Sequence, residues 1–202
     1  MMKEIIKLGF VLLTVCVIAA FALGFTNEVT KEQIADNIVV ANREARQEVF
    51  PEADDFTLIA SNDEQAIYEA HPAAADFIAN NKEVAEVYEA MSNGSRIGFV
   101  IKTLPNGYGG AVGVTVGFSL DGTIQGVRVD TPNETPGLGA KAKTEDFYKQ
   151  YDALTVNTPI EVLKIEVTEG MNAIQSISGA TITSAAVTNG VNYGQLVIDT
   201  FK

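Results

Sequence analysis

The sequence predicts an α+β protein, in which a single N-terminal transmembrane helix precedes one domain with a mainly antiparallel sheet and flanking helices. Residues 8–25 form an uncharged apolar run. Strand-like segments separated by Asn-Gly and Asp-Gly pairs follow between residues 84 and 130. A helix-like pattern without proline covers residues 185–201. The 202 residues, 47% of them hydrophobic, are enough for one domain of ordinary size.

The apolar run is predicted to cross a membrane. A helix of its 18 residues is about 27 Å long, close to the thickness of a bilayer's hydrocarbon core. It also has features of a signal peptide, because Ala20-Phe21-Ala22 resembles a cleavage site. The length of the run favours a retained anchor. With Lys3 and Lys7 in a cytoplasmic segment, residues 1–7, the domain is expected on the extracytoplasmic side of the cytoplasmic membrane.

Composition excludes several classes of function. The net charge is −12, which argues against nucleic acid as a partner. The single cysteine, Cys16, lies inside the apolar run, so no disulfide framework or cysteine-based metal site is indicated. Nothing near the single histidine, His71, indicates a Ser-His-Asp triad. We therefore expect no catalytic side chain and no metal, and any redox role requires a bound cofactor.

Residues 26–50 are predicted to form a helix after the membrane, with the domain at residues 51–202. Thr30 and Gln33 fit a capping box at its start. A helical apolar stripe follows at Ile34, Ile38, Val39, Ala41, Ala45 and Val49. A short strand is expected at residues 56–59. Residues 61–82 read as Ala-rich helical pieces interrupted by Pro72.

Four strands are predicted at residues 84–91, 96–103, 110–118 and 123–130. Turn signals at Asn93-Gly94, Asn106-Gly107 and Asp121-Gly122 indicate an antiparallel meander. Glycines are dense around the third strand, at 107, 109, 110, 113 and 117. They indicate either bulges and close strand packing or a backbone that approaches a flat ligand.

The loop at residues 133–140 is rigid and poor in side chains. Pro136 fixes one turn residue, and the glycines on either side of Leu138 permit positive φ. Such a loop can lie against a planar ring, and it is neither a Walker loop nor a Rossmann fingerprint. A short helix is expected at residues 143–151, with Phe147 and Tyr151 packing inward.

A Ser-Gly-Ala-Thr-Ile-Thr-Ser segment at residues 178–184 precedes the final helix pattern and follows strand-like segments at 161–167 and 172–177. Its hydroxyls have two interpretations. They cap the helix, or they join free backbone N–H groups to form an anion site.

Three segments in this order resemble one family: Gly-Tyr-Gly-Gly at residues 107–110, Glu-Thr-Pro-Gly-Leu-Gly at 134–139, and the segment at 178–184. The chain resembles the FMN-binding G subunits of Rnf ion-translocating oxidoreductases, cousins of the longer C subunits of sodium-pumping NADH:quinone oxidoreductases. The resemblance implies covalent FMN, attached by a phosphoester to the threonine that ends Ser/Thr-Gly-Ala-Thr. Here that residue is Thr181. The resemblance further implies a cofactor site formed by Ser178, Gly179, Ala180, Thr183, Ser184, Glu134, Thr135, Gly137, Leu138 and Gly139. Thr183 and Ser184 are expected to donate hydrogen bonds to the phosphate, and the loop at 134–139 to lie near the isoalloxazine.

The resemblance also implies function and partners. The chain would relay electrons in a ferredoxin:NAD-type complex that moves Na⁺ or H⁺. Its partners would be the A, B, C, D and E subunits of the complex, a flavin transferase that supplies FMN from FAD, and membrane lipid around the anchor. Two residues depart from the family pattern. Gln175 stands where the family usually has an acidic residue, which bears on recognition by the transferase. Pro132 stands where the family often has a histidine, which suggests that the histidine is not required for the redox step. Alternatives are a C subunit of the cousin complex, a free-standing extracytoplasmic flavin reductase or redox sensor, and a flavin-free binding module if Thr181 is unmodified.

Overall fold

The computed structural model describes residues 2–62 and 72–202, so the predicted loop position of His71 lies outside the described residues. The chain divides into two compact units, Met1–Arg43 and Glu44–Lys202. The last turn of the first helix belongs to the second unit.

Helix α1 runs without interruption over Met2–Val49. Within it, Ile6–Lys31 has a mean hydropathy of 2.6, and its 26 residues are long and apolar enough to cross a membrane. The predicted capping box at Thr30 is wrong, because α1 runs through this position. The Thr30 hydroxyl donates to the carbonyl oxygen of Thr26, 2.9 Å away, as an interior helix threonine does. No proline or glycine between residues 26 and 49 interrupts the helix.

The predicted antiparallel meander is confirmed. Its five strands pair in chain order: β1 Asp55–Ser61, β2 Val84–Ser92, β3 Ser95–Thr103, β4 Gly113–Ser119 and β5 Ile124–Asp130. Asn93 and Gly94 have φ values of 50° and 75°, as a tight β2–β3 hairpin requires. Strand β4 begins three residues later than predicted, because residues 105–112 form a loop closed by a bridge between Asn106 and Ala111.

The remaining elements flank this sheet. They are α2 Pro72–Asn80, α3 Glu145–Tyr148 between two 3₁₀ turns, a parallel strand pair β6 Glu161–Leu163 and β7 Ala173–Gln175, and α4 Thr181–Phe201. Phe147 and Tyr151 are buried as predicted. The strands predicted at 161–167 and 172–177 are shorter than expected, since each pairs over only three residues.

The sheet is covered on both faces. On one face, Val187, Val191 and Val197 of α4 join Phe99 and Phe118 of the sheet in the main core. On the other face, a smaller cluster consists of Val49, Phe50, Ala53, Ala90 and Val100. The sheet therefore lies between α4 and the last turn of α1.

Close packing explains part of the glycine density. A Cβ added at Gly117 would lie 2.5 Å from the carbonyl oxygen of Val49, and one at Gly98 would lie 2.6 Å from the ring of Phe50. The β4–β5 register also shifts between Gly117 and Phe118. At Gly117 the explanation is therefore a bulge and close packing, and the residue that it packs against is Val49 at the end of α1.

Candidate functional site

A cleft of about 540 Å³ opens where three segments meet: the loop before β4, the loop after β5 and the first turn of α4. Its lining residues are Tyr108, Glu134, Thr135, Leu138, Gly139, Gly179, Ala180, Thr181, Ile182 and Thr183. The volume lies in the range typical of small-molecule and cofactor sites, roughly 300–1,000 Å³.

The first turn of α4 presents uncapped backbone donors to this cleft. The N-cap residue is Ala180, and no side chain caps the helix. The first backbone bond runs from the Ser184 N–H to the Ala180 carbonyl oxygen, 3.0 Å away. Within residues 2–62 and 72–202, the N–H groups of Thr181, Ile182 and Thr183 have no acceptor. The side-chain capping interpretation is therefore wrong, and the helix N-terminus keeps its donors for an anion.

The hydroxyls of Thr183 and Ser184 are both buried and already bonded. Thr183 Oγ1 donates to Glu134 Oε2 at 2.9 Å. Ser184 Oγ donates to the Ala180 carbonyl oxygen and accepts from the Ile177 N–H, both at 3.0 Å. The proton of each hydroxyl is thus engaged within the chain, so the predicted donation of both groups to a phosphate would require these bonds to break.

Thr181 differs from both of them. Its side chain is partly exposed at the cleft. Among the described residues, its hydroxyl has no hydrogen-bond partner. The preceding Gly179 has a φ of 77°, and a Cβ there would lie 3.2 Å from Leu138 Cδ2. A glycine thus lets the chain turn into the helix beside the 134–139 loop.

The loop at 134–139 forms a tight turn. The Thr135 carbonyl oxygen accepts from the Leu138 N–H at 3.1 Å and from the Ala140 N–H at 3.2 Å. Pro136 and Gly137, whose φ is 79°, occupy the central positions that a type II turn favours. This turn exposes 42% of Leu138 at the cleft.

Glu134 is buried and bonds to both neighbouring segments. Its Oε1 accepts from the backbone N–H groups of Tyr108 (2.8 Å) and Gly109 (3.0 Å). Its Oε2 accepts from Thr183 Oγ1. A carboxylate predicted to lie near a flat ring therefore also connects the three segments of the cleft.

The structure brings most of the predicted site residues together. Eight of them line the cleft: Glu134, Thr135, Leu138, Gly139, Gly179, Ala180, Thr181 and Thr183. Ser178, Gly137 and Ser184 do not line it. Sequence reasoning missed Tyr108 and Ile182, which expose 72% and 57% of their surface. An aromatic residue set among the glycines at 107–110 was the available signal for Tyr108.

Comparison with known proteins decides the family. Residues 107–194 match an FMN-binding domain, and residues 1–49 match the RnfG N-terminal region. The G subunit of the Na⁺-translocating ferredoxin:NAD⁺ oxidoreductase complex of Acetobacterium woodii is 42% identical over 191 residues, covering 94% of this chain and 89% of that protein. The chain belongs to the G-subunit family of ion-translocating oxidoreductase complexes. It is thus a redox subunit of such a complex, with an FMN-binding domain and an N-terminal helix suited to a membrane.

A more distant relative and a solved structure agree with this. The G subunit of the ion-translocating oxidoreductase complex of Photorhabdus laumondii is 30% identical over 194 residues, covering 93% of this chain and 88% of that protein. The C subunit of the Na⁺-translocating NADH-quinone reductase from Parabacteroides distasonis superposes with a TM-score of 0.51 at 21% identity. That alignment covers 72% of this chain and 78% of that one, and it shows a shared fold.

The residues of the cleft fit FMN. The uncapped N–H groups of Thr181, Ile182 and Thr183 suit a phosphate. Leu138 and Tyr108 offer apolar and aromatic surface suited to a planar ring. The FMN-binding match at residues 107–194 includes every residue that lines the cleft.

Proposed function

We propose that this chain is the electron-relaying G subunit of a ferredoxin:NAD-type oxidoreductase complex that couples electron flow to Na⁺ or H⁺ transport. The observation that carries the proposal is the cleft, where uncapped donors of α4 lie beside Thr181 inside an FMN-binding domain. FMN supplies the redox chemistry, accepting and passing on electrons singly or in pairs. The chain's own residues bind, orient and shield it.

Thr181 is the proposed attachment point. A flavin transferase would join Thr181 Oγ1 to the phosphorus of FMN, with FAD as donor, AMP as leaving group and the hydroxyl proton lost to a base. Within the part of the chain that the structure describes, the hydroxyl of Thr181 is unbonded and partly exposed, whereas those of Thr183 and Ser184 are buried and engaged. The linked phosphate would lie at the N-terminus of α4, a position that favours negative charge by about 0.3–1 kcal/mol.

Intact mass tests this attachment. The chain is co-expressed with a flavin transferase as wild type, Thr181→Ala and Thr168→Ala. The Thr168 side chain is exposed, outside the cleft and outside the 178–184 segment, so it provides the matched control. We expect one FMN adduct in the wild type and the control, and none in Thr181→Ala. An adduct that survives Thr181→Ala contradicts the assignment.

The domain is proposed to lie on the extracytoplasmic side, bound to the A to E subunits of the complex. Lys3 and Lys7 precede the apolar run, and cationic flanks favour the cytoplasm. Residues 8–25 carry no charge, so ion passage is assigned to the partner subunits. Protease added to intact spheroplasts should digest the domain. Protection there, together with digestion in inverted vesicles, would contradict the proposed orientation.

A further inference from the structure

The carboxylate of Glu134 is the most enclosed ionisable group at the cleft. Only 7% of the residue is exposed. Its two oxygens accept three hydrogen bonds, from the Tyr108 and Gly109 N–H groups and from Thr183 Oγ1. Those donors lie on the loop before β4 and on α4, while Glu134 itself follows β5. One side chain therefore connects all three segments that line the cleft.

The contacts suit a charged carboxylate. Every group that touches it through a hydrogen bond is a donor, and an ionised carboxylate is an acceptor only. Across residues 2–62 and 72–202, no lysine or arginine forms an ion pair with it. Its negative charge is thus held by neutral donors and, among the described residues, forms no ion pair with a cation.

The Glu134 carboxylate occupies space that side chains at two glycines would otherwise fill. A Cβ at Gly107 would lie 2.4 Å from Oε1, and a Cβ at Gly139 would lie 2.0 Å from Oε2. Neither glycine has a positive φ, so close approach to Glu134 accounts for the missing side chains. The backbone on both sides of the cleft is shaped around the carboxylate.

We propose that Glu134 is the positioning residue of the flavin site. Its hydrogen bonds hold the loop at 107–110 and the start of α4 at a fixed separation. Its uncancelled charge also disfavours added negative charge on the bound ring, and so lowers the flavin's midpoint potential. This inference rests on the proposed binding of FMN in the cleft.

The charge is tested with Glu134→Gln in the full-length, FMN-loaded chain. Glutamine has the same shape, its amide oxygen still accepts from the two N–H groups, and its NH₂ group can donate to Thr183 Oγ1. Glu52→Gln is the control, since it removes one charge from an exposed residue outside the cleft. We expect a higher midpoint potential for Glu134→Gln and an unchanged one for Glu52→Gln. Equal potentials in Glu134→Gln and wild type would overturn the role of the charge.

The positioning role is tested with Thr183→Val, which removes one donor at nearly constant volume. We expect the visible circular dichroism of the flavin to change, and Thr183→Ser to restore it. An unchanged signal in Thr183→Val would overturn the positioning role. If Glu134→Gln unfolds at the wild-type temperature yet takes up no FMN, the hydrogen bonds that it keeps are not enough to form the site, and the positioning role is overturned. If Glu134→Gln does not fold, the two Thr183 variants decide. A wild-type chain without FMN would instead overturn the proposed function.

Discussion

At the residue scale, four hydroxyl side chains lie within seven residues at the start of α4, and they have different environments. Ser178 is exposed outside the cleft, while Thr183 and Ser184 are buried and bonded. Thr181 alone among these four lines the cleft with an unbonded hydroxyl, within the described residues. Its selection as an acceptor thus has a structural reason in addition to the family resemblance.

Tyr108 provides a prediction at this scale. Its ring is exposed at the cleft, and its backbone N–H is fixed by Glu134. We expect it to contact the isoalloxazine, so Tyr108→Leu should raise the flavin fluorescence of the loaded chain, because an aromatic contact that quenches is lost. Tyr108→Trp keeps an electron-rich ring that quenches flavin fluorescence and should stay close to wild type. Equal fluorescence in all three chains would contradict the contact.

At this scale, features that depend on neighbouring residues could be predicted from the sequence, and contacts between residues far apart in the sequence could not. The sequence predicted the turn around Gly137, since that turn depends on neighbouring residues. It did not predict the bonds of Glu134, whose partners are 25, 26 and 49 positions away. The Thr183 hydroxyl makes one of those bonds, so its engagement with Glu134 could not be predicted from neighbouring residues.

At the element scale, a chain of buried hydrogen bonds supports the start of α4. The Tyr151 hydroxyl and Thr188 Oγ1 are 2.7 Å apart, and Thr188 Oγ1 donates to the Ser184 carbonyl oxygen at 2.9 Å. Since Thr188 uses its proton there, Tyr151 is the donor to Thr188. Burial raises the pKa of Tyr151 well above its ordinary value, which keeps that hydroxyl protonated.

Removing this donor should destabilise the domain. Tyr151→Phe loses one buried hydrogen bond, which we expect to lower the free energy of unfolding by about 0.5–1.5 kcal/mol. Tyr148→Phe is the matched control, because Tyr148 is only partly buried in the adjoining helix α3. Thermal unfolding of the full chain in detergent measures both. Equal losses in the two variants would contradict a specific role for Tyr151.

The last turn of α1 provides a second test of an element. A methyl group at Gly117 would meet the carbonyl oxygen of Val49, so Gly117→Ala should cost about 1–3 kcal/mol through overpacking. Gly113→Ala, on the same strand, meets nothing closer than 3.3 Å and should cost less. Denaturant unfolding compares the two. A smaller loss at Gly117 than at Gly113 would show that the end of α1 does not restrict this position.

The elements themselves were predictable to different degrees. Strands β1 to β5 followed from alternation and turn pairs, which are local signals. From the sequence, Gly117 could reflect either close packing or approach to a flat ligand, because its contact, Val49, is distant in sequence. Thr30 was misread because a capping box and an interior helix threonine differ in backbone geometry and not in local composition. Pairing of β6 with β7 depends on tertiary contacts, so its three-residue length was not visible in the sequence.

At the scale of the whole molecule, the fate of the apolar helix determines whether the acidic domain stays attached to the membrane. Its Ile6–Lys31 segment suits a membrane, while Ala20-Phe21-Ala22 resembles a signal cleavage site. A retained helix fits a component of a membrane complex. Cleavage would release a free-standing flavoprotein, which is the second interpretation of the sequence.

Fractionation distinguishes the two. We expect the chain to stay with membranes after alkaline carbonate washing and to keep its N-terminus, because an uncut apolar helix is not displaced by charge or pH. A variant that lacks residues 1–25 should become soluble. A soluble native product beginning after Ala22 would contradict retention of the anchor.

The central claim is that FMN is joined to Thr181 at the start of α4, and peptide mapping tests it most directly. Trypsin cuts after Lys164 and meets no lysine or arginine before Lys202, so residues 165–202 form one peptide that contains every hydroxyl of the segment. Fragment ions of this peptide from the loaded chain should place a single FMN group on Thr181. An FMN group on Ser178, Thr183 or Ser184, or an unmodified peptide from chain that retains FMN, would contradict the account.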